Sequence, residues 1–367
     1  MTRRERLMSI YEGHVPDRPA VRLWGAVPGQ ELLHPAFESV REAAVEKTDL
    51  VLSAGSPMDL RWGSEPPPIH TEECQTGDPD WVDQVTTVET PAGTLRSVWR
   101  KSTVKQPGRT IEHLLKEPED LDKLLSVDYV PHPFDEGPFR ASEEQVGDRG
   151  ITVFGLPHAM YGLEDSIGSE NFAIWSRTCR DKLLDVVHEY GRRILEHVNR
   201  AIDAGIRGVF GYVGPELCIP PLMSVDDFDE FVTPIDGPII DAIHEGGGRV
   251  WVHCHGRMGP VLERFAEMGV DVLNPLEPPP MGDITLDDAF ARLGGRMGIE
   301  GNIETHDIMT MNPVKFRDLV AETVESGRGE RFILCPSSGY MENPEPTDRQ
   351  IENLLTFVNY GVECARD

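Results

Sequence analysis

No apolar run in the sequence approaches the roughly 18 residues that a membrane-spanning helix needs, so a membrane span is not expected. The opening MTRRERLMSIYEGHVPDR is basic but lacks the apolar stretch and small-residue cleavage site of a secretory signal, and the expected location is the cytoplasm. Cysteine is sparse. Its six copies, at 74, 179, 218, 254, 335 and 364, have no paired spacing, which argues against a disulfide framework and for a reducing compartment. Positive charge is also short, with 35 Lys and Arg against 63 Asp and Glu. The resulting formal charge of −28 repels phosphate backbones and anionic membranes, so nucleic acid is not an expected partner. Three signatures are missing as well: a Gly-rich phosphate loop with its lysine, a dinucleotide fingerprint after the first strand, and a nucleophile elbow. The glycines at 246 to 248 end a helix and precede a strand, the reverse of the order that cradles phosphate.

What is present fits an ordinary folded enzyme: 39% hydrophobic and 27% charged residues in a 367-residue chain that an α/β barrel can absorb as one domain, 1–367. Thr2 to Glu12 reads as an amphipathic helix, ended by the turn signal before Pro19 and followed by the short apolar run Ala20 to Leu23. A second apolar run spans Asp49 to Ser53. Residues 60–150 are irregular and read as decoration. Alternation from Val85 to Arg100 around Pro91-Ala92-Gly93 marks a β-hairpin there, and Pro118 to Gly150 is expected to wrap the surface.

From Ile151 short apolar runs alternate with helix-length segments. The strands are expected at Ile151 to Gly155, Gly205 to Tyr212, Arg249 to His255, Val270 to Asn274, Arg296 to Glu300 and Arg331 to Cys335. Helices are expected at 170–204, possible breaks included, and at 224–245, 258–268, 285–293, 312–327 and 346–365. With the runs near 20 and 50 this makes eight strands. Buried parallel strands with covering helices favour a (β/α)₈ TIM barrel with an N-terminal helix and a β-hairpin decoration, with a doubly wound sheet as the alternative.

In such a barrel chemistry gathers where strands end. Val250 to Gly256 reads V-W-V-H-C-H-G, and a side-chain period of two puts His253 and His255 on one side and Cys254 on the other. Two imidazoles at a strand end can bind one divalent ion, although a histidine is as readily a satisfied core residue. Cys335, ending the last strand, is a candidate third ligand or a small buried hydrophobe. Glu216, Glu277 and Glu300 each follow or end an apolar run, where partial burial tunes a carboxyl as acid or base. Asn302, Tyr340 and His158 are candidate polar contacts to a substrate, and Trp24 and Trp62 candidate apolar walls.

The stretches Phe154-Gly155-Leu156-Pro157 to Glu170-Asn171-Phe172, Gly214-Pro215 with Pro221 to Ser224, Phe228 to Pro234, His253 to Gly256, Glu300 to Ile303 and Phe332 to Pro336 together resemble the uroporphyrinogen decarboxylase-like superfamily. Arg3 to Leu7 and Pro16 to Pro19 also match. The resemblance implies a (β/α)₈ barrel and a dimer. It sits nearer the cobalamin-dependent methyltransferase branch than the true decarboxylases, whose arginine-rich loop after the first strand is replaced here by Trp24-Gly25-Ala26-Val27-Pro28-Gly29-Gln30. The family's tyrosine after its G-x-P segment is not in register, Tyr161 being merely close; it is kept as a candidate substrate contact.

The methyltransferase branch holds zinc through H-x-C and a late cysteine. Here His253 matches the first ligand, His255 stands at the second, and Ser338 falls at the third, with Cys335 three residues earlier. A harder set of two imidazoles with Glu300 or Glu277 suits zinc, iron or manganese and favours an oxygen-bearing substrate. The function expected is therefore metal-dependent methyl transfer, of O-demethylase type or to and from a pterin or a corrinoid on a separate partner protein. Two alternatives stay open. One is a lyase or decarboxylase acting on a small carboxylate, with Arg22, Arg61 or Arg257 as cationic clamp; the other is a non-catalytic binding barrel.

Overall fold

The computed structural model describes residues 1–104, 106–339 and 345–367. The chain divides into two compact units, the first made of Met1–Ser56, Asp135–Leu156 and Val198–Asp367, the second of Pro57–Phe134 and Pro157–His197. In chain order the strands are β1 (Ala20–Val21), β2 (Leu50–Ala54), β3 (Ile69–Gln75), β4 (Trp81–Thr90), β5 (Gly93–Ser102), β6 (Arg109–Glu112), β7 (Gly150–Leu156), β8 (Val209–Val213), β9 (Arg249–His253), β10 (Val272–Leu276), β11 (Gly298–Ile303) and β12 (Phe332–Pro336).

The first unit is an α/β fold around a curled eight-stranded parallel sheet in the order β1-β12-β11-β10-β9-β8-β7-β2. From β7 to β12 chain neighbours are sheet neighbours, as the alternation of strands and helices implies. The end strands β1 and β2 share no ladder among the described residues. Asp49, just before β2, links them instead: its N–H donates to Val21 O at 2.7 Å, and its carboxylate accepts from Val21 N–H at 2.8 Å. The carboxylate also takes Nη1 of Arg6 at 2.7 Å. Asp49 is fully buried, so this pairing satisfies a charge that would otherwise be costly.

The helix Arg3–Tyr11 is started by a capping box, in which Glu5 N–H donates to the Thr2 hydroxyl while the Glu5 carboxylate takes Thr2 N–H. Its Leu7, Ile10 and Tyr11 pack into one cluster with Ala20 of β1, Ile151 and Val153 of β7, Val209 of β8, Trp251 of β9, Val272 of β10 and Ile333 of β12. A single helix thus buries its apolar face against most of the sheet's strands. Arg331 adds hydrogen bonds from its fork to the carbonyls of Ile10, Gly295 and Asp271.

The second unit carries a four-stranded antiparallel sheet, β3-β4-β5-β6, with the helices Ala159–Ile167, Ser169–Thr178 and the first part of Arg180–Asp203. The hairpin read from the sequence is β4 with β5, turning at Pro91-Ala92. Its flanking strands escape a pattern search because they carry no apolar alternation; every residue of β3 is exposed. Residues Pro118 to Gly150 do more than wrap a surface, since they form the helices Asp120–Leu125 and Gly137–Val146, with Phe139 and Val146 buried. The region 60–150 is accordingly shared between the two units. The strand expected from Gly205 starts at Val209, because Gly205 sits at φ +81° and closes the preceding helix.

Among the described residues no helix is long and apolar enough to cross a membrane.

Candidate active site

The strand-end groups of the first unit meet around β9. His253, its last residue, is buried, and its Nδ1 lies 2.6 Å from Oδ1 of Asn274 on β10. That contact places the proton on Nδ1 and leaves Nε2 as the acceptor. Burial pushes the imidazole pKa down to about 4, so the ring is neutral at physiological pH. The ring of Trp24 stands edge-on to it, with centroids 4.8 Å apart.

Two residues on, His255 crosses His253 at 87° with centroids 4.5 Å apart. Its Nδ1 meets Oε1 of Glu277 at 2.9 Å, while Oε2 of Glu277 accepts Gly256 N–H at 2.7 Å. Gly256 has φ +109°, in the region that favours glycine, so the turn that delivers this N–H suits no other residue as well. Burial alone would lower the His255 pKa, but Glu277, Glu216 and Glu304 outweigh it and the net shift is upward. For Glu277 burial acts upward and is outweighed by His255 and the Gly256 N–H, so its carboxyl is held below the ordinary range. His255 and Glu277 form a hydrogen-bonded pair, an ion pair whenever the imidazole is protonated.

Glu304, at the head of the helix Thr305–Thr310, completes the group. Burial and then the neighbouring Glu277 push its pKa up to about 7. Oε2 accepts from the Ser337 hydroxyl at 3.2 Å, whereas the buried Oε1 has no hydrogen-bond partner among the described residues. A carboxyl half-protonated at neutral pH, with one oxygen uncommitted, can hold and release a proton. Nothing in the sequence marked it, since it lies beyond the strand in a polar stretch; the shift comes first from burial and then from Glu277, distant in sequence.

Glu300 is buried more deeply than the partial burial expected from the sequence. It is fully buried, with Oε1 2.5 Å from Nη1 of Arg22 and Oε2 2.7 Å from Nε1 of Trp251. Both oxygens are committed, which makes Glu300 a structural partner of Arg22 and not an acid or base. Cys335 is fully buried on the same side, near Glu300 and Arg22, and burial drives its thiol pKa upward. The two imidazoles are brought together as expected, but Cys335 does not join them. Among the described residues no three His, Cys, Asp or Glu side chains converge to hold a metal ion.

Glu216, in the short turn of helix Glu216–Cys218, lies within electrostatic reach of His255. Asn302 is half-buried on β11, in register with Cys335. Trp62, His158 and Tyr161 belong to the second unit: Trp62 and His158 are buried and Tyr161 is 51% exposed. Tyr340 lies outside the described residues. Of the three arginines weighed as a carboxylate clamp, Arg22 is paired with Glu300, Arg61 faces Asp165 at 3.7 Å in the second unit, and Arg257 is exposed.

Comparison with known proteins follows this geometry. The sequence profile of a family described as Uroporphyrinogen decarboxylase (URO-D) matches residues 154–361. No curated protein sequence matches the chain. Among solved structures, a methyltransferase from Methanosarcina mazei aligns over 98% of this chain and 99% of its own at 16% identity and a TM-score of 0.61, a likeness of fold. The muconate lactonizing enzyme from Pseudomonas putida aligns over 81% of this chain and 77% of its own, at 12% identity and a TM-score of 0.27, too low to carry an argument.

Proposed function

The chain belongs to the uroporphyrinogen decarboxylase (URO-D) family, and on that premise we propose that it is a methyl-group transferase that takes the methyl group from the oxygen of a small methyl ether. The acceptor is a corrinoid on a separate protein or a pterin. The observation that carries this reading is the proton-handling group at the strand ends: Glu304 with its pKa near 7 beside the His255–Glu277 pair. A fold shared along nearly its whole length with a protein named as a methyltransferase supports it.

Breaking a methyl ether has a fixed demand. The acceptor's electron pair forms the new bond to the methyl carbon, the carbon–oxygen bond breaks, and the departing oxygen needs a proton. Glu304 is the donor suited to that step at neutral pH, and His255, whose pKa Glu277 raises, is the group that can return the proton to it. Neutral His253, with Nε2 free, accepts a hydrogen bond from the substrate or the released hydroxyl. A divalent metal, expected from the sequence, would find two imidazoles but no third ligand among the described residues, so no step is routed through one.

Porphyrinogen decarboxylation is disfavoured by the residues themselves. Such a substrate presents many carboxylates, and the buried cation at its expected site, Arg22, is already neutralised by Glu300.

The test is direct. The protein is incubated with a set of CD₃-labelled methyl ethers and either cob(I)alamin or tetrahydrofolate, and the acceptor is weighed by mass spectrometry. Label on an acceptor supports the reading; an unchanged acceptor mass across the set opposes it.

A further inference from the structure

Beside His253, inside the curled sheet of the first unit, lies a cavity of about 340 Å³, at the small end of the range for small-molecule sites. Trp24 and Trp251 form its walls, with Val51, Val153 and Val213 among the aliphatic lining. Its wall closes tightly over Gly211, where a Cβ would meet Val153 Cγ1 at 2.6 Å and Trp251 Cε3 at 2.7 Å. Ser53 and Val213, both exposed, stand at its opening, so the space is reached from solvent.

Among the described residues Arg22 is the sole Lys, Arg, His, Asp or Glu lining this cavity. It is 7% exposed, and its guanidinium lies 4.6 Å from the ring centroid of Trp24 and 5.5 Å from that of Trp251. The guanidinium commits Nη1 to Glu300, its Nε is shut off from solvent, and Nη2 makes no hydrogen bond among the described residues. Unspent donor capacity on a buried arginine is a demand for an acceptor. The positive charge, however, is already balanced by a fully buried carboxylate. An entering anion would leave one uncompensated negative charge at a buried site, which disfavours its binding.

We propose that this cavity binds a neutral, flat organic molecule whose oxygen accepts from Arg22 while its ring lies against Trp24 and Trp251. Calling that molecule the substrate rests on the methyl-transfer reading; its binding does not. Oxygen acceptor, ring and zero charge together describe the ligand class, and Trp24, one wall of the cavity, also stands edge-on to His253 of the candidate site.

The test is isothermal titration calorimetry of the full chain with two nearly isosteric probes, benzamide and benzoate. Benzamide is expected to bind, and benzoate to bind at least about tenfold more weakly, a difference of about 1.4 kcal/mol. Ser53→Phe and Val213→Phe, at exposed positions on the opening, are each expected to abolish benzamide binding while leaving thermal unfolding unchanged. Benzoate binding as tightly as benzamide, benzamide binding undiminished in both variants, or no benzamide binding up to its solubility overturns the proposal. Because calorimetry needs no turnover, loss of the methyl-transfer reading with benzamide binding intact leaves this inference standing, and the converse result removes only this one.

Discussion

At the scale of single residues the site divides carboxylates by their partners. Glu304 and Glu300 stand four residues apart, yet one has an uncommitted oxygen and a pKa near 7 while the other has both oxygens held. Glu304→Gln is expected to lower the single-turnover transfer rate by about 100-fold or more, the usual loss on removing a general acid. The wild-type rate should fall as pH rises through about 7, where Glu304 gives up its proton, and the variant should lose that limb. Stability has the same sign. A carboxyl whose folded pKa is raised from its ordinary 4.5 to about 7 binds more protons folded than unfolded across that window, so its contribution fades as pH rises through it. Urea unfolding at pH 5 and pH 8 should therefore show a smaller loss for Glu304→Gln than for the wild type. His253 runs the other way: its lowered pKa makes stability decline as pH falls from about 6.5 toward 4. Glu300→Gln breaks a buried ion pair and should cost about 3–5 kcal/mol in the same measurement, whereas the double change Arg22→Met, Glu300→Leu should cost less.

At the scale of elements, the helix Arg3–Tyr11 is the packing unit most exposed to test. Ile10 is fully buried within the cluster that joins it to the sheet. Ile10→Ala should destabilise the chain by about 2–5 kcal/mol, read from the urea midpoint, and Thr2→Ala, which removes only the cap, by about 1 kcal/mol. The same elements show what was legible in the sequence. Strands β7 to β12 of the parallel sheet announce themselves because buried strands are apolar throughout, and each lies within a few residues of its expected place. Strands β3 and β6 did not, since IHTEECQ is held by backbone pairing and solvent on both faces, which leaves no pattern to read. The H-x-H pair and Glu277 were legible from strand-end position alone. Glu304 and Asn274 were not, because their importance arises from contacts across strands, with Glu277 and His253.

At the scale of the whole molecule, the curled parallel sheet, the family match and the likeness of fold agree on one architecture, on which the proposed ether cleavage is set. The account joins these at one point, the delivery of a proton to a departing oxygen as the methyl group leaves. The measurement that tests it most directly is single-turnover transfer of a CD₃ group from a labelled methyl ether to cob(I)alamin, followed by mass spectrometry for the wild type and Glu304→Gln from pH 5.5 to 8.5, a window centred on the Glu304 pKa of about 7. The account expects label on the acceptor, a wild-type rate that declines above about pH 7, and a slow, pH-independent rate in the variant. Unlabelled acceptor, or transfer by Glu304→Gln at the wild-type rate across the whole range, would contradict it.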